Sequence, residues 1–299
     1  MISGNTGKGY LLVVLAATLW ATLGIFYTVL TLNYHFSRVS IVFWRALIAA
    51  GLLFIVLVAF RRPQLQISRR DWRVFLALGC FGIAFFYIVY IYAISLSGMG
   101  VAAVLLYTAP IWVTIYGIIA LNERLDAQKA ITLLLATGGI ILVGQIYNIQ
   151  ALWMSLPGLL AGLGAGIGYA TFIILNKLAT QRQYSPWAIN AYSFGIGAIL
   201  LGLMQTPAEQ KLILTTSDAW LWLIALGTIP TLGGGIAFIS GLRFLPASNA
   251  SIVATLEPVI ASILGWVLFN EKMDIVQLIG GGLIIFAVVI LQIPTKNSI

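Results

Sequence analysis

Apolar residues fill ten blocks of about 20 residues each, separated by short polar breaks: 9–32, 38–60, 72–95, 99–121, 127–146, 155–178, 186–205, 218–242, 247–269 and 275–293. A block of that length crosses a hydrocarbon core of about 30 Å as an α-helix. The breaks are abrupt. Arg61-Arg62-Pro63 closes the second block and Arg69-Arg70-Asp71 opens the third, while Gly98 and Pro246 interrupt the chain between blocks three and four and between blocks eight and nine. The pattern predicts an all-α polytopic membrane protein with ten transmembrane helices.

The blocks repeat. Pro110 is followed by Asn122-Glu123-Arg124-Leu125-Asp126, and Pro258 by Asn270-Glu271-Lys272-Met273-Asp274, at a constant offset of 148. At the same offset Trp72 falls on Trp220, Ala77-Leu78-Gly79 on Ala225-Leu226-Gly227, Gly117 on Gly265 and Trp44 on Tyr192. One residue more brings Trp20-Ala21-Thr22 onto Tyr169-Ala170-Thr171. The division expected is 1–148 and 149–299, five helices each. Five is odd, so the second copy must cross the membrane upside down. Inverted repeats with a site between them near the midplane are the mark of secondary transporters.

Composition agrees with the pattern. Of 299 residues, 61% are hydrophobic and only 8% charged, with mean hydropathy +1.03, against about 25% charged in an average soluble domain. The net charge of +8 does not point to nucleic acid, because the basic residues lie mostly in short loops. With the N-terminus in the cytoplasm, Lys8, Arg61, Arg62, Arg69, Arg70, Arg73, Arg124, Lys129, Lys177, Arg182, Arg243 and Lys296 fall inside, and only Arg38, Lys211 and Lys272 outside. The positive-inside rule therefore places both termini in the cytoplasm. Cys80 lies alone in an apolar block and His35 alone in a loop, so neither a disulfide framework nor a metal site is expected. The first block is too long for the core of a cleavable signal, and none is expected.

Within the blocks, ionisable residues stand out. Glu257 lies about ten residues into block nine, roughly 15 Å along a helix and so near the midplane. Its counterpart in the first copy is Ala109. A charged side chain at that depth costs about 2.5–3.5 kcal/mol on insertion scales and must pair, protonate or face water. Pro258 removes a backbone donor and frees the carbonyl near Ala254, which kinks or opens the helix beside it. Pro110 and Pro258 are the expected hinges of two gates. Arg45, roughly 10 Å inside block two, either snorkels to the outer surface with Trp44 or faces the cavity. Facing it, Arg45 would supply a cation opposite the Glu257 anion, which suits a zwitterion such as an amino acid.

Aromatic stripes follow: Trp20 with Tyr27, Tyr87 with Tyr90 and Ile94, and Tyr169 with Phe172 and Asn176. Such stripes form packing or interfacial belts as well as binding walls. Trp20 and Tyr169 occupy matching places in the two copies, Asn176 is polar where Tyr27 stands, and Tyr107 lies one turn before Pro110. The substrate route is expected to be lined by Glu257, Trp20, Tyr169, Asn176, Tyr107 and Arg45. Asn190 reads as an interhelical hydrogen-bonding residue, Asp126 and Asp274 as helix N-caps, and the glycines at 162, 164, 166 and 168 as close-packing positions. Glu123 and Glu271 fall at opposite membrane surfaces, where a charge at a helix end is cheap in water, and read as structural or, alternatively, as a gating or ion-pair couple.

Leu19-Trp20-Ala21-Thr22 in block one, Pro110 followed by Asn122-Glu123, and Leu256-Glu257-Pro258-Val259 followed by Asn270-Glu271 together resemble the EamA family of the drug/metabolite transporter superfamily, over essentially the whole chain. The resemblance implies a bacterial inner-membrane exporter of amino acids, their derivatives or other small metabolites, with the substrate cavity between the repeats. One branch of that family exports aromatic amino acids and lacks the carboxylate that Glu257 supplies here. The related sugar-phosphate carriers use several cavity cations, which Arg45 alone does not match. The expectation is a non-enzymatic exporter, monomeric in the bilayer, working by alternating access without cofactor, nucleotide or nucleic acid. Its coupling is proton exchange through Glu257 or facilitated diffusion. An exporter of drugs or other organic solutes, or a lipid-flipping protein, is the competing reading.

Overall fold

The structure is a computed structural model that describes residues 3–145 and 156–293. The expected boundary at 148, residue 146 of block five, residue 155 of block six, and Lys296 lie outside the described residues. All regular structure among the described residues is helical. Seven helices are long and apolar enough to cross a membrane: α1 (Asn5–Leu32), α2 (Arg38–Phe60), α3 (Trp72–Ser97), α4 (Met99–Ala120), α6 (Leu156–Gln181), α9 (Ala219–Leu242) and α10 (Ala247–Phe269). Between them lie α5 (Ala127–Val143), α7 (Pro186–Gly202) and α11 (Ile275–Leu291), each of 17 residues, and the short α8 (Pro207–Thr215).

The starts of these helices are written in the sequence. Ser37 accepts from the Ser40 N–H at 3.0 Å, Asp126 from the Lys129 N–H at 2.7 Å and Ser185 from the Ala188 N–H at 3.1 Å. Thr206 with Glu209 and Asp274 with Gln277 form reciprocal capping boxes. Leu11, Phe60, Leu134, Ile199, Leu221 and Ile275 are exposed, as lipid-facing side chains should be, because hydrocarbon levies no penalty on an apolar surface.

The helices are not regular throughout. In α4 the chain breaks at Tyr107-Thr108 and resumes at Ala109; in α10 it breaks at Thr255, 148 residues after Tyr107, and resumes at Leu256. Each break sits just before a proline, whose missing N–H and ring bulk oppose continuous helix. Segments Leu78–Phe85 of α3 and Gly227–Gly233 of α9 are π-helical. Within the α9 segment Pro230 offers no N–H to the Leu226 carbonyl, and the Thr231 hydroxyl donates to that carbonyl at 2.7 Å; the α3 segment is π-helical without a proline.

Contacts recur at the same offset. The Trp44 and Trp220 rings lie 5.3 Å apart, and their counterparts Tyr192 and Trp72 also lie 5.3 Å apart. A Cβ on Gly79 would meet Ile196, and a Cβ on Gly227 would meet Ile48; each pair is the other shifted by 148. Helix α1 packs on α9 and α10, while α6 packs on α3 and α4. The core between them is aromatic and small-residue packing. Gly168, for example, brings α6 within 3.0 Å of the Phe86 backbone, measured from the Cβ it lacks.

Candidate functional site

A cavity of ≈ 730 Å³ lies at the centre of the helices, within the size range of small-molecule sites. Its walls come from α1, α2, α3, α4, α6, α9 and α10, with Ile140 and Val143 of α5 and Phe194 of α7. Five of the six expected route residues line it: Glu257, Trp20, Tyr169, Tyr107 and Arg45, and Pro258 lines it as well. Asn176 and Pro110 are not in the lining. Asn176 is fully buried, with its amide donating to the Phe172 carbonyl one turn back at 2.7 Å. Pro110 is buried in the first turn of the second half of α4.

Arg45 is only 6% exposed and does not snorkel. Three groups from three helices hold it. Its Nε donates to the Thr231 hydroxyl at 3.1 Å, an Nη reaches the Tyr27 hydroxyl at 3.4 Å, and its guanidinium carbon lies 4.9 Å from the centre of the Tyr87 ring. Thr231 can accept that bond because its own hydrogen is committed to Leu226, so the defect made by Pro230 positions the arginine. A planar guanidinium stacked on a ring and fixed at Nε keeps its other edge for a carboxylate.

Glu257 enters the cavity from the first turn after the α10 break, where the chain is half-buried rather than sealed among helices. It engages the Tyr107 hydroxyl and feels the Arg45 charge. The two are not an ion pair: among the described residues the ion pairs are Glu123–Lys129 and Asp71–Arg182. An arginine and a glutamate thus share one chamber without a direct ion pair between them, in a region where an unpaired charge is expensive.

The walls between them are rings. Trp20 stands 6.4 Å from Tyr169 and 5.0 Å from Phe238; Phe86 stacks on Tyr169 at 5.5 Å; Tyr107 meets Tyr169 edge-on at 6.5 Å. The Tyr169 hydroxyl is buried without a hydrogen-bond partner among the described residues, and a bound polar ligand is a natural occupant for such a group. At one end, which we take as its mouth, the lining reaches Thr31, Arg38, Met99, Gly144 and Glu271, at or beside helix ends, of which Met99 and Glu271 are exposed.

Sequence reasoning did not find Thr231, Phe86 or the mouth residue Arg38. For Thr231 a signal existed, since Thr after Pro inside an apolar block is placed to repair the broken ladder. Phe86 had none, being one phenylalanine among many.

Seven membrane-length apolar helices among the described residues, packed around a central amphipathic chamber, define a polytopic membrane protein built to enclose a small solute. The model of the EamA-like transporter family matches residues 7–145 and 156–293, and the chain belongs to that family, within the drug/metabolite transporter superfamily. It is 31% identical to an uncharacterized transporter of Archaeoglobus fulgidus over 201 residues, covering 67% of this chain and 70% of that protein. It is 28% identical to the uncharacterized transporter YwfM of Bacillus subtilis over 291 residues, covering 96% and 95%. A solved crystal structure superposes with TM-score 0.78 at 16% identity, covering 96% of each chain, a likeness of fold.

Proposed function

We propose that this protein is a secondary transporter, not an enzyme, that exports amino acids or closely related zwitterions across the inner membrane by alternating access. The observation that carries the substrate is the unpaired Arg45 and Glu257 in one ring-walled chamber. Arg45 takes the carboxylate, Glu257 with Tyr107 takes the ammonium, and Trp20, Tyr169 and Phe86 cover the side chain. Ten transmembrane helices in two inverted units, 1–148 and 149–299, are supported by the contacts that recur at offset 148 and by the two stretches matched to the family, and cytoplasmic termini by the excess of basic residues in the loops on that side. On that topology the mouth of the chamber faces outward. The protein works as a monomer, and the breaks beside Pro110 and Pro258 are its bending points.

Counterflow in proteoliposomes tests the reading. Vesicles loaded with an unlabelled amino acid should accumulate the labelled one transiently. Accumulation of a drug-like cation or translocation of labelled lipid, with no amino acid in a broad panel exchanged, would replace this reading with one of its competitors.

A further inference from the structure

Glu123 and Glu271 are equivalent residues in different circumstances. Both follow an asparagine in the left-handed region, Asn122 and Asn270, each at φ 54, and both fold back against a glycine, Gly117 and Gly265. There the likeness ends. The Glu123 side chain is 9% exposed. It accepts from the Ala247 N–H at 2.7 Å and the Ser248 N–H at 3.4 Å, the free donors of the first turn of α10, and also from the Ser248 hydroxyl. Lys129 adds an ammonium at 3.4 Å. Ala247 and Ser248 are fully buried beneath it. This network seals the end of the molecule opposite the mouth.

Glu271 stands in the mouth, exposed, with no hydrogen bond to its carboxylate among the described residues. Subtracting 148 from Ala247 and Ser248 gives Met99 and Gly100. These are the first residues of α4; they are exposed, they too line the mouth, and their N–H groups are the unsatisfied donors of a helix start. The partners that Glu123 holds at the closed end therefore have waiting counterparts at the open end.

We infer that Glu123 and Glu271 are alternating latches of the transport cycle: Glu123 closes the inner gate by capping α10, and Glu271 closes the outer gate by capping α4 when the inner latch releases. The two latches are unequal. Gly100 lacks the hydroxyl that Ser248 contributes, and Gln277 stands where Lys129 stands; its side chain is used in capping α11 and reaching the Val143 carbonyl. The stronger latch is the one that is shut, so the outward-open form is the resting state. This assignment rests on the proposed transporter and its topology, but not on the identity of the substrate.

The test uses full-length protein in proteoliposomes with Cys80→Ala and a reporter Ser262→Cys, which lies in the chamber wall between Glu257 and the mouth. A membrane-impermeant maleimide is applied from each face in turn, and the face at which the reporter reacts without further substitution is the open one. Loss of one charge-assisted hydrogen bond shifts a two-state equilibrium by about tenfold. Glu123→Gln should raise labelling at the opposite face by up to about tenfold and slow it at the open face to a smaller extent. Glu271→Gln should leave the open face as reactive and suppress labelling at the opposite face. Ser248→Ala breaks the inner latch without touching a charge and should act in the direction of Glu123→Gln, to a smaller extent. The assignment is overturned if Glu123→Gln and Glu271→Gln move labelling in the same direction, or if neither moves it. Opposite shifts together with failed amino-acid counterflow would sink the substrate reading and leave the latches standing.

Discussion

Replacing Arg45 with lysine keeps the charge and removes the geometry. Lysine carries no Nε donor for Thr231 and no plane to lie over Tyr87, two contacts that fix the guanidinium at 3.1 Å and 4.9 Å. A hydrogen bond to a charged group contributes about 1.5–3 kcal/mol and a desolvated cation–π contact about 0.5–2 kcal/mol. The full sum overstates the loss, because the Thr231 hydroxyl keeps its bond to Leu226 and is not left as an unpaired donor. A loss of about 2 kcal/mol remains, shared between stability and the positioning of the substrate carboxylate. Substrate affinity alone should then fall about tenfold, since each 1.4 kcal/mol is a factor of ten. Scintillation-proximity binding on purified protein measures it, with thermal melting in the same detergent to separate the stability share. Arg45→Met, which removes the charge as well, should abolish amino-acid binding. Equal affinity in wild type and Arg45→Lys would show that the fixed guanidinium is not the carboxylate receptor.

Other consequences can be measured side by side. Glu257→Gln should abolish counterflow of amino acids, or its pH dependence, while the protein stays folded and monodisperse by size exclusion; unchanged kinetics and pH profile would remove Glu257 from the mechanism. Asn176→Ala should lower the melting temperature without altering the ranking of substrates, because Asn176 is buried outside the lining. Gly79→Val and Gly227→Val should each destabilise by about 1–3 kcal/mol through overpacking, and to similar extents, because Ile196 and Ile48 stand at equivalent distances from them; a large difference in denaturation midpoint would argue against the recurrent packing. At the start of α8, burial pushes the Glu209 carboxyl up, but hydrogen bonds from the Ser37 hydroxyl and from the Thr206 N–H and hydroxyl outweigh it and hold Glu209 below its ordinary value. A carboxyl lowered by folding stabilises above its unfolded pKa, and that stability is lost as the pH falls through the folded pKa. Glu209→Gln should therefore lower the melting temperature at neutral pH, with the gap to wild type closing below about pH 4.

Much of the architecture was legible because a membrane makes the apolar pattern unambiguous. Blocks of about 20 apolar residues became helices, and Asp126 and Asp274 became caps where polar residues precede a block. The chamber was legible where chemistry was conspicuous: an arginine and a glutamate in hydrocarbon must face something polar, and both do. Asn176 misled because a helix stripe gives direction only within one helix. Phe172 and Asn176 share a face of α6, yet Phe172 lines the chamber while Asn176, one turn on, is fully buried outside it. Arg45 could not be assigned from sequence, since its depth allowed both snorkelling and the chamber; the choice was made by Thr231, Tyr27 and Tyr87, residues 186, 18 and 42 positions away. The π-helical widening at Pro230 also escaped, because proline announces a defect in a helix but not how neighbouring groups repair it.

The central claim is that one chamber reads both charges of a zwitterion. Counterflow of three matched solutes tests it most directly: an amino acid with an apolar side chain, the amine left by removing its carboxylate, and the acid left by removing its amine. The wild-type protein should exchange the amino acid and neither of the other two at comparable concentration. Exchange of the amine or the acid at the rate of the amino acid would contradict the account, because Arg45 or Glu257 would then be reading nothing.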